Sequence, residues 1–168
     1  MDELLVYGYG NPGCQDDGVG ILFAEKCEQI FRGIPGFCTE INYQLNVEDS
    51  YLISGFRNII FADAALPDPA FIGSSPPLED IEAGSKGKGF YYYRIQPAVQ
   101  IAFSTHAMSP QSILGLSEEL YQNVPRCHVM HITGESWEFD ADPTEQALEH
   151  LENAWGYFEN VWTGIAGR

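Results

Sequence analysis

The chain has 168 residues, enough to bury the core of one ordinary domain. Its 24 acidic residues against 8 basic ones give a net charge of −16, which argues against nucleic acid and anionic membrane surfaces and leaves a cation, a basic partner or mere solubility as the use of the charge. No apolar run approaches the ~20 residues of a membrane span, the acidic start MDELLVYG is the opposite of a signal peptide, and Cys14, Cys27, Cys38 and Cys127 show no C-x-x-C or disulfide-framework spacing, so a reduced, cytoplasmic protein is expected.

In chain order, LLVYGY (4–9) reads as a buried strand ending in glycines. A helix follows from Val19, with Val19, Leu22, Phe23, Cys27 and Ile30 on one face and Gly33 and Pro35 closing it. FCTEINYQL (37–45) alternates as a second strand, VEDSYLISG forms a short helix, and RNIIFADAA (57–65) is a third strand. Residues 66–89 are nearly half Pro, Gly or Ser and read as a long loop. FYYYRIQP (90–97) is a strand, and Ser109 with Pro110 caps a further helix. RCHVMHITG (126–134) is a strand. Asp142, Pro143 and Glu145 form a capping box for the last helix, whose core stripe is Leu148, Leu151, Trp155, Phe158 and Trp162. This order predicts one α/β domain over 1–168: a three-layer αβα sandwich around a mostly parallel, twisted sheet of five or six strands.

The loop YGYGNPGCQDDGVG (7–20) carries Gly8, Gly10 and Gly13 in the G-x-G-x-x-G spacing of a dinucleotide site, after a strand and before a helix. Asp16 and Asp17, however, sit at the positive helix end where a pyrophosphate belongs. No acidic residue ends the second strand to meet a ribose, since Glu40 lies mid-strand. A cation site fits the charges better. The loops after the first and third strands of a parallel sheet emerge at one edge, bringing Asp16 and Asp17 to the side of Asp63, with His106 ahead of a capped helix. Carboxylates with one imidazole suit a divalent transition metal and leave positions open for substrate. Each residue also has an ordinary structural role open to it. Asp16 would cap or brace the first helix, at a cost of at most ~1–2 kcal/mol when removed. Asp17 would favour that helix's dipole, Asp63 would accept from neighbouring amides, and His106 would be a plain loop histidine.

At these residues the chain resembles the nickel–iron hydrogenase maturation endopeptidases, which trim a C-terminal extension from the hydrogenase large subunit after nickel insertion. GYGNPGCQDDGVG, FADAA and STHAMSPQSILGLSEELY carry the resemblance, which runs from about Leu4 to Ile132 and includes the pattern G-x-G-N-x-x-x-x-D-[DE]-x-x-G. The resemblance implies an endopeptidase whose metal-contacting and catalytic set is Asp17, Asp63 and His106. It also implies nickel carried by the substrate, with other divalent metals able to substitute in vitro, and a hydrogenase large-subunit precursor as partner, with neither nucleic acid nor membrane. Two departures stand out: Asp17 is shorter than the Glu of several members, and loop 66–89 is long.

The alternative function is a non-hydrolytic binding module, either a dinucleotide-binding regulator or a nickel-sensing chaperone. Asn11 reads chiefly as a brace for the turn after the glycines. His128 and His131 fall on opposite faces of one strand and so do not share an ion. A Cys14–His106 thiol nucleophile is disfavoured by the carboxylates beside Cys14. Neither G-x-S-x-G nor H-E-x-x-H occurs.

Overall fold

Short apolar runs, each closed by turn residues, form the strands here, and their burial on both faces is what a parallel sheet demands. In the computed structural model, which describes residues 2–67, 81, 88–98 and 108–166, four strands run parallel. These are β1 (Asp2–Tyr9), β2 (Phe37–Asn42), β3 (Phe56–Ala65) and, after the intervening strand, β5 (Arg126–Thr133). That intervening strand, β4 (Phe90–Arg94), lies antiparallel to β5 at one edge, giving the order β2-β1-β3-β5-β4. Ile81 adds an isolated antiparallel bridge to Tyr93 beyond it.

The period of two along each strand sorts the core into two layers. Leu4, Val6, Ile60, Ala62, Met130 and Ile132 face α1 (Val19–Phe31) and α4 (Glu145–Ala166). Leu5, Tyr7, Ile59, Phe61, Cys127 and Val129 face α2 (Asp49–Ile53) and α3 (Pro110–Tyr121). The result is the expected αβα sandwich. The α1/α4 layer is closed by aromatic rings: Phe23 meets Phe158 edge-on at 5.4 Å between centroids, and Phe37 meets Trp162 at 5.1 Å. Such pairs add about 0.5–1.5 kcal/mol each beyond the area they bury.

Three local expectations need correction. The second strand stops at Asn42, not near Leu45, because the Asn42 side chain accepts from the Tyr43 amide at 2.9 Å and turns the chain. Leu45 then packs into the α2/α3 layer. The last helix is capped by Thr144 and not by an Asp142 box: Thr144 Oγ1 accepts from the Ala147 amide at 3.1 Å. Its buried stripe is Ala147, Leu151, Ala154, Trp155, Phe158 and Trp162, with Leu148 left 41% exposed. Ala147 and Ala154 occupy fully buried positions of that stripe, and Leu148 lies at its margin. Ile30, likewise expected on the inner face of α1, is 52% exposed.

Ser109 caps α3 as expected, its hydroxyl accepting from the Ser112 amide at 3.1 Å, with Pro110 at the first helical position. Met108 donates to the Leu45 carbonyl beyond the end of β2, while Asn123 reaches Ser54 just ahead of β3. The helix therefore begins at the carboxyl edge of the parallel strands and runs down to the other edge.

Candidate active site at the carboxyl edge

The glycines of the loop after β1 serve close packing of the chain on itself. Gly10 has φ +142°, and a Cβ there would lie 2.1 Å from the Asp17 carbonyl oxygen. A Cβ on Gly8 would lie 2.5 Å from the Gly20 carbonyl, so α1 can press against β1 only if this position is bare. Both glycines are thus used for contacts within the chain. Asn11 braces the turn through a 2.9 Å bond from the Gly13 amide to its Oδ1, and its main-chain amide donates to Asp17 Oδ2 at 2.8 Å. A 3-10 turn, Gln15–Gly18, leads from the loop into α1.

Asp16 and Asp17 part company on this turn. Asp16 is fully buried and points to the loop between β5 and α4. Its carboxylate accepts the amides of Glu135 at 2.8 Å, Ser136 at 3.0 Å and Thr144 at 2.7 Å, and the Thr144 hydroxyl at 2.8 Å. Burial alone would raise its pKa, but these four donors outweigh burial and hold it below the ordinary carboxylate value. Asp16 therefore does not cap the first helix; the 3-10 turn has no side-chain cap. It pins the first loop to the entrance of the last helix, so its removal costs more than the loss of a cap.

Asp17 is half-buried and lies toward Asp63, which ends the apolar run of β3 at the same edge. Asp63 accepts from the Ala64 amide at 2.9 Å. Its carboxyl is pushed up to about 7, first by burial and then by the negative charge of Asp17, against smaller opposing contributions from the Ala64 amide and the Tyr9 hydroxyl aimed at it. A buried carboxyl that resists ionisation beside a second carboxylate is a place where a cation gains. Both readings of Asp63 therefore hold, since it takes a loop amide and still has acceptor capacity.

Asp63 is flanked by Tyr9, which no sequence motif marks, and by His131, which the sequence brings up only as an unsuitable metal pair with His128. Tyr9 sits on one side of it, and His131, its register partner on β5, on the other. His131 Nδ1 and the Tyr93 hydroxyl are 3.1 Å apart, and burial pushes the imidazole down to about 4, so it is neutral. Reading HVMHIT as one row of a parallel sheet, two residues short of its end, was the signal that could have found His131. His128 lies on the opposite face, stacked on Tyr92 at 4.7 Å, as strand spacing requires. Cys14 Sγ accepts a 3.4 Å contact from Asn11 Nδ2, and all four cysteines are free. Among the described residues no three His, Cys, Asp or Glu side chains gather as a ready metal cage. His106, the third expected ligand, lies outside the described residues.

The chain matches no protein-family model, and no curated protein matches it in sequence. Solved structures do match its architecture. The hydrogenase maturation protease HycI of Thermococcus kodakarensis KOD1 superposes with a TM-score of 0.61 at 19% identity, over 99% of this chain and 93% of that one. An endopeptidase from Escherichia coli gives a TM-score of 0.67 at 18% identity, over 98% and 93%. The hydrogenase maturating endopeptidase HybD of E. coli gives 0.58 at 21%, over 94% and 90%. The fold is that of the NiFe hydrogenase maturation proteases. On this maturation-protease fold, Asp17 follows the first strand and Asp63 lies among the last residues of the third, and the Gly-rich loop supports Asp17 instead of a nucleotide.

Proposed function

We propose that this protein is an endopeptidase that removes the C-terminal extension of a nickel–iron hydrogenase large-subunit precursor once nickel has been inserted. The observation that carries the reading is the convergence of Asp17 and Asp63 at the carboxyl edge of a maturation-protease fold, with the Asp63 carboxyl pushed up to about 7 by burial first and by the charge of Asp17 second. A divalent ion arriving with the substrate would displace that proton and relieve the repulsion. Nickel is here the cargo of the client. Asp17 and Asp63, with His106 as third ligand, dock it and so report that insertion is complete. Each ~1.4 kcal/mol of preference for the loaded client gives tenfold discrimination, so a few ligand contacts suffice. Other divalent ions of similar preference, such as cadmium, would occupy the same ligands in vitro.

The dinucleotide reading is not favoured, because Gly8 and Gly10 are used against Gly20 and Asp17 within the chain. Among the described residues no helix is long and apolar enough to cross a membrane. A charge of −16 suits neither nucleic acid nor an anionic lipid surface.

Purified precursor, with and without nickel, tests the reading. The nickel-loaded form should lose its extension and the apo form should stay intact. Equal cleavage of both would overturn docking of the ion, and cleavage of neither would overturn the protease assignment.

A further inference from the structure

The two edges of the sheet differ. Beyond β4, Ile81 bridges to Tyr93, while among the described residues β2 pairs with β1 alone. The β2 sequence FCTEIN holds neither lysine nor proline, the residues that ordinarily blunt such an edge. Two bonds fix which of its backbone groups face the neighbour. The Gly36 carbonyl accepts from the Leu4 amide at 3.0 Å, and the Asn42 carbonyl accepts from the Gly10 amide at 3.3 Å. Successive residues of a strand turn their N–H and C=O to opposite sides, so Cys38 and Glu40 also face β1. Thr39 and Ile41 therefore turn their N–H and C=O outward, and both residues are only half-buried. This open edge ends at the carboxylate site, because Asn42 holds Gly10, whose bare Cα packs on Asp17. Beside that end, a cleft of about 290 Å³ lies between Pro12, Ile21, Glu25, Ile41, Asn42 and Tyr43.

We propose that the C-terminal extension of the client docks on this edge as an added strand, antiparallel to β2. The proposal rests on the endopeptidase reading given above. In that reading the scissile bond lies at Asp17 and Asp63, and the extension follows it in the client chain. Leaving the site over Asn42, the extension runs from the carboxyl edge of the sheet toward the other edge, against the direction of β2. Main-chain bonds to Thr39 and Ile41 supply the hold, and the alternate side chains of the added strand supply the selectivity. Those on the α1 side meet the cleft, which offers the apolar Ile21 and Ile41 and, as its one charged group, Glu25. Those on the opposite side meet Glu40, which alternates with Ile41 along the strand. A side chain with an apolar stem and a cationic head suits both walls, so the occupant is an extended segment carrying Lys or Arg. A second copy of this edge would bring like charges together at Glu25 and Glu40, which disfavours self-pairing.

Amide hydrogen exchange of the full chain, read residue by residue by NMR, tests it. The probe is a synthetic peptide copying the extension of the precursor that the protein cleaves. With excess peptide, exchange at Thr39 and Ile41 should slow about tenfold or more, while Cys38, Glu40 and Asn42, which face β1 already, change little. Unchanged exchange at Thr39 and Ile41 would overturn the proposal while leaving the endopeptidase reading intact. Equal slowing across the whole sheet would show binding elsewhere and overturn it as well. Thr39→Pro supplies a second measurement, since proline is tolerated where an edge N–H faces out of the sheet. The KM for nickel-loaded precursor should rise about tenfold at an unchanged kcat and melting temperature. A wild-type KM, or a loss confined to kcat, would count against docking on β2. Should the proline variant melt lower, the exchange measurement on the wild-type protein decides alone. A nickel-loaded precursor left intact by the wild-type protein would overturn the endopeptidase reading beneath the proposal.

Discussion

Asp16 is sealed beneath the loop that enters α4, while Asp17, one residue later, faces Asp63 across the carboxyl edge of the sheet. Both sides of this turn bring carboxylates out of water, yet their protons behave oppositely. Burial pushes both Asp16 and Asp63 toward protonation. Around Asp16 four hydrogen-bond donors more than offset that push. Around Asp63 the opposing contributions of the Ala64 amide and of Tyr9 do not, and the charge of Asp17 adds to it. Donor count, more than burial, separates a carboxylate that builds structure from one left with a deficit that a cation can fill.

The largest expected effect comes from breaking the saturated side. Asp16→Asn keeps the size but places an amide donor among the donors of Glu135, Ser136 and Thr144. Leaving several buried donors facing a donor should cost about 3–5 kcal/mol in urea unfolding. Asp17→Asn, which loses the charge but retains an oxygen for the Asn11 amide, should change stability by at most ~1 kcal/mol. Equal losses in the two variants would erase the contrast between them.

Much of this arrangement was legible in the residues. The alternation of strands and helices, the Ser109–Pro110 cap and the approach of Asp17 to Asp63 follow from apolar periodicity and from the rule that βα loops of a parallel sheet share one edge. What was not legible depends on partners distant in sequence. Asp16 bonds to Thr144, 128 residues away, and no local pattern announces that contact. The same bond explains why Thr144 and not Asp142 caps α4, since Thr144 is held at both its amide and its hydroxyl. Tyr9 read as one more apolar strand residue, and only the β1–β3 register shows that it stands next to Asp63.

The unsaturated side should reveal itself in the pH dependence of stability. The folded-state pKa of Asp63 is raised from 3.8 to about 7. The native state therefore holds this proton more tightly than the unfolded chain, and the stability it contributes is full at low pH and lost as pH rises from about 4 to 7. His131 has the opposite sign, being pushed down from 6.5 to about 4, and adds stability as pH rises through nearly the same window. The wild-type profile alone would blur the two. The difference between Asp63→Asn and wild type isolates the aspartate. Between pH 4 and pH 8 that difference should move in favour of the variant by up to about 4 kcal/mol, because each tenfold change in proton affinity is worth about 1.36 kcal/mol. A difference independent of pH would mean that Asp63 is as well satisfied as Asp16, and the comparison would fail.

The smallest effect sharpens the comparison at Asn11, which touches Asp17 without depending on its own side chain. The 2.8 Å bond to Asp17 Oδ2 comes from the main-chain amide, and any residue other than proline supplies it. The side chain itself braces the turn, accepting from Gly13 at 2.9 Å and reaching Cys14 Sγ at 3.4 Å. It is exposed, so water replaces what it loses. Asn11→Ala should therefore cost only about 0.5–1 kcal/mol of stability. It should keep cleavage of nickel-loaded precursor within about tenfold of wild type, because a loosened turn forfeits no more than ~1.4 kcal/mol of docking. A side-chain amide that donated to the developing oxyanion would behave differently, with a loss of about 10²–10³ in kcat at unchanged stability. Rates and melting curves on the one variant decide between a brace and a catalytic donor. A thousandfold slower enzyme with a wild-type melt would move Asn11 from the supporting turn into the reacting site, and Asp17 would then owe its place to a catalytic loop.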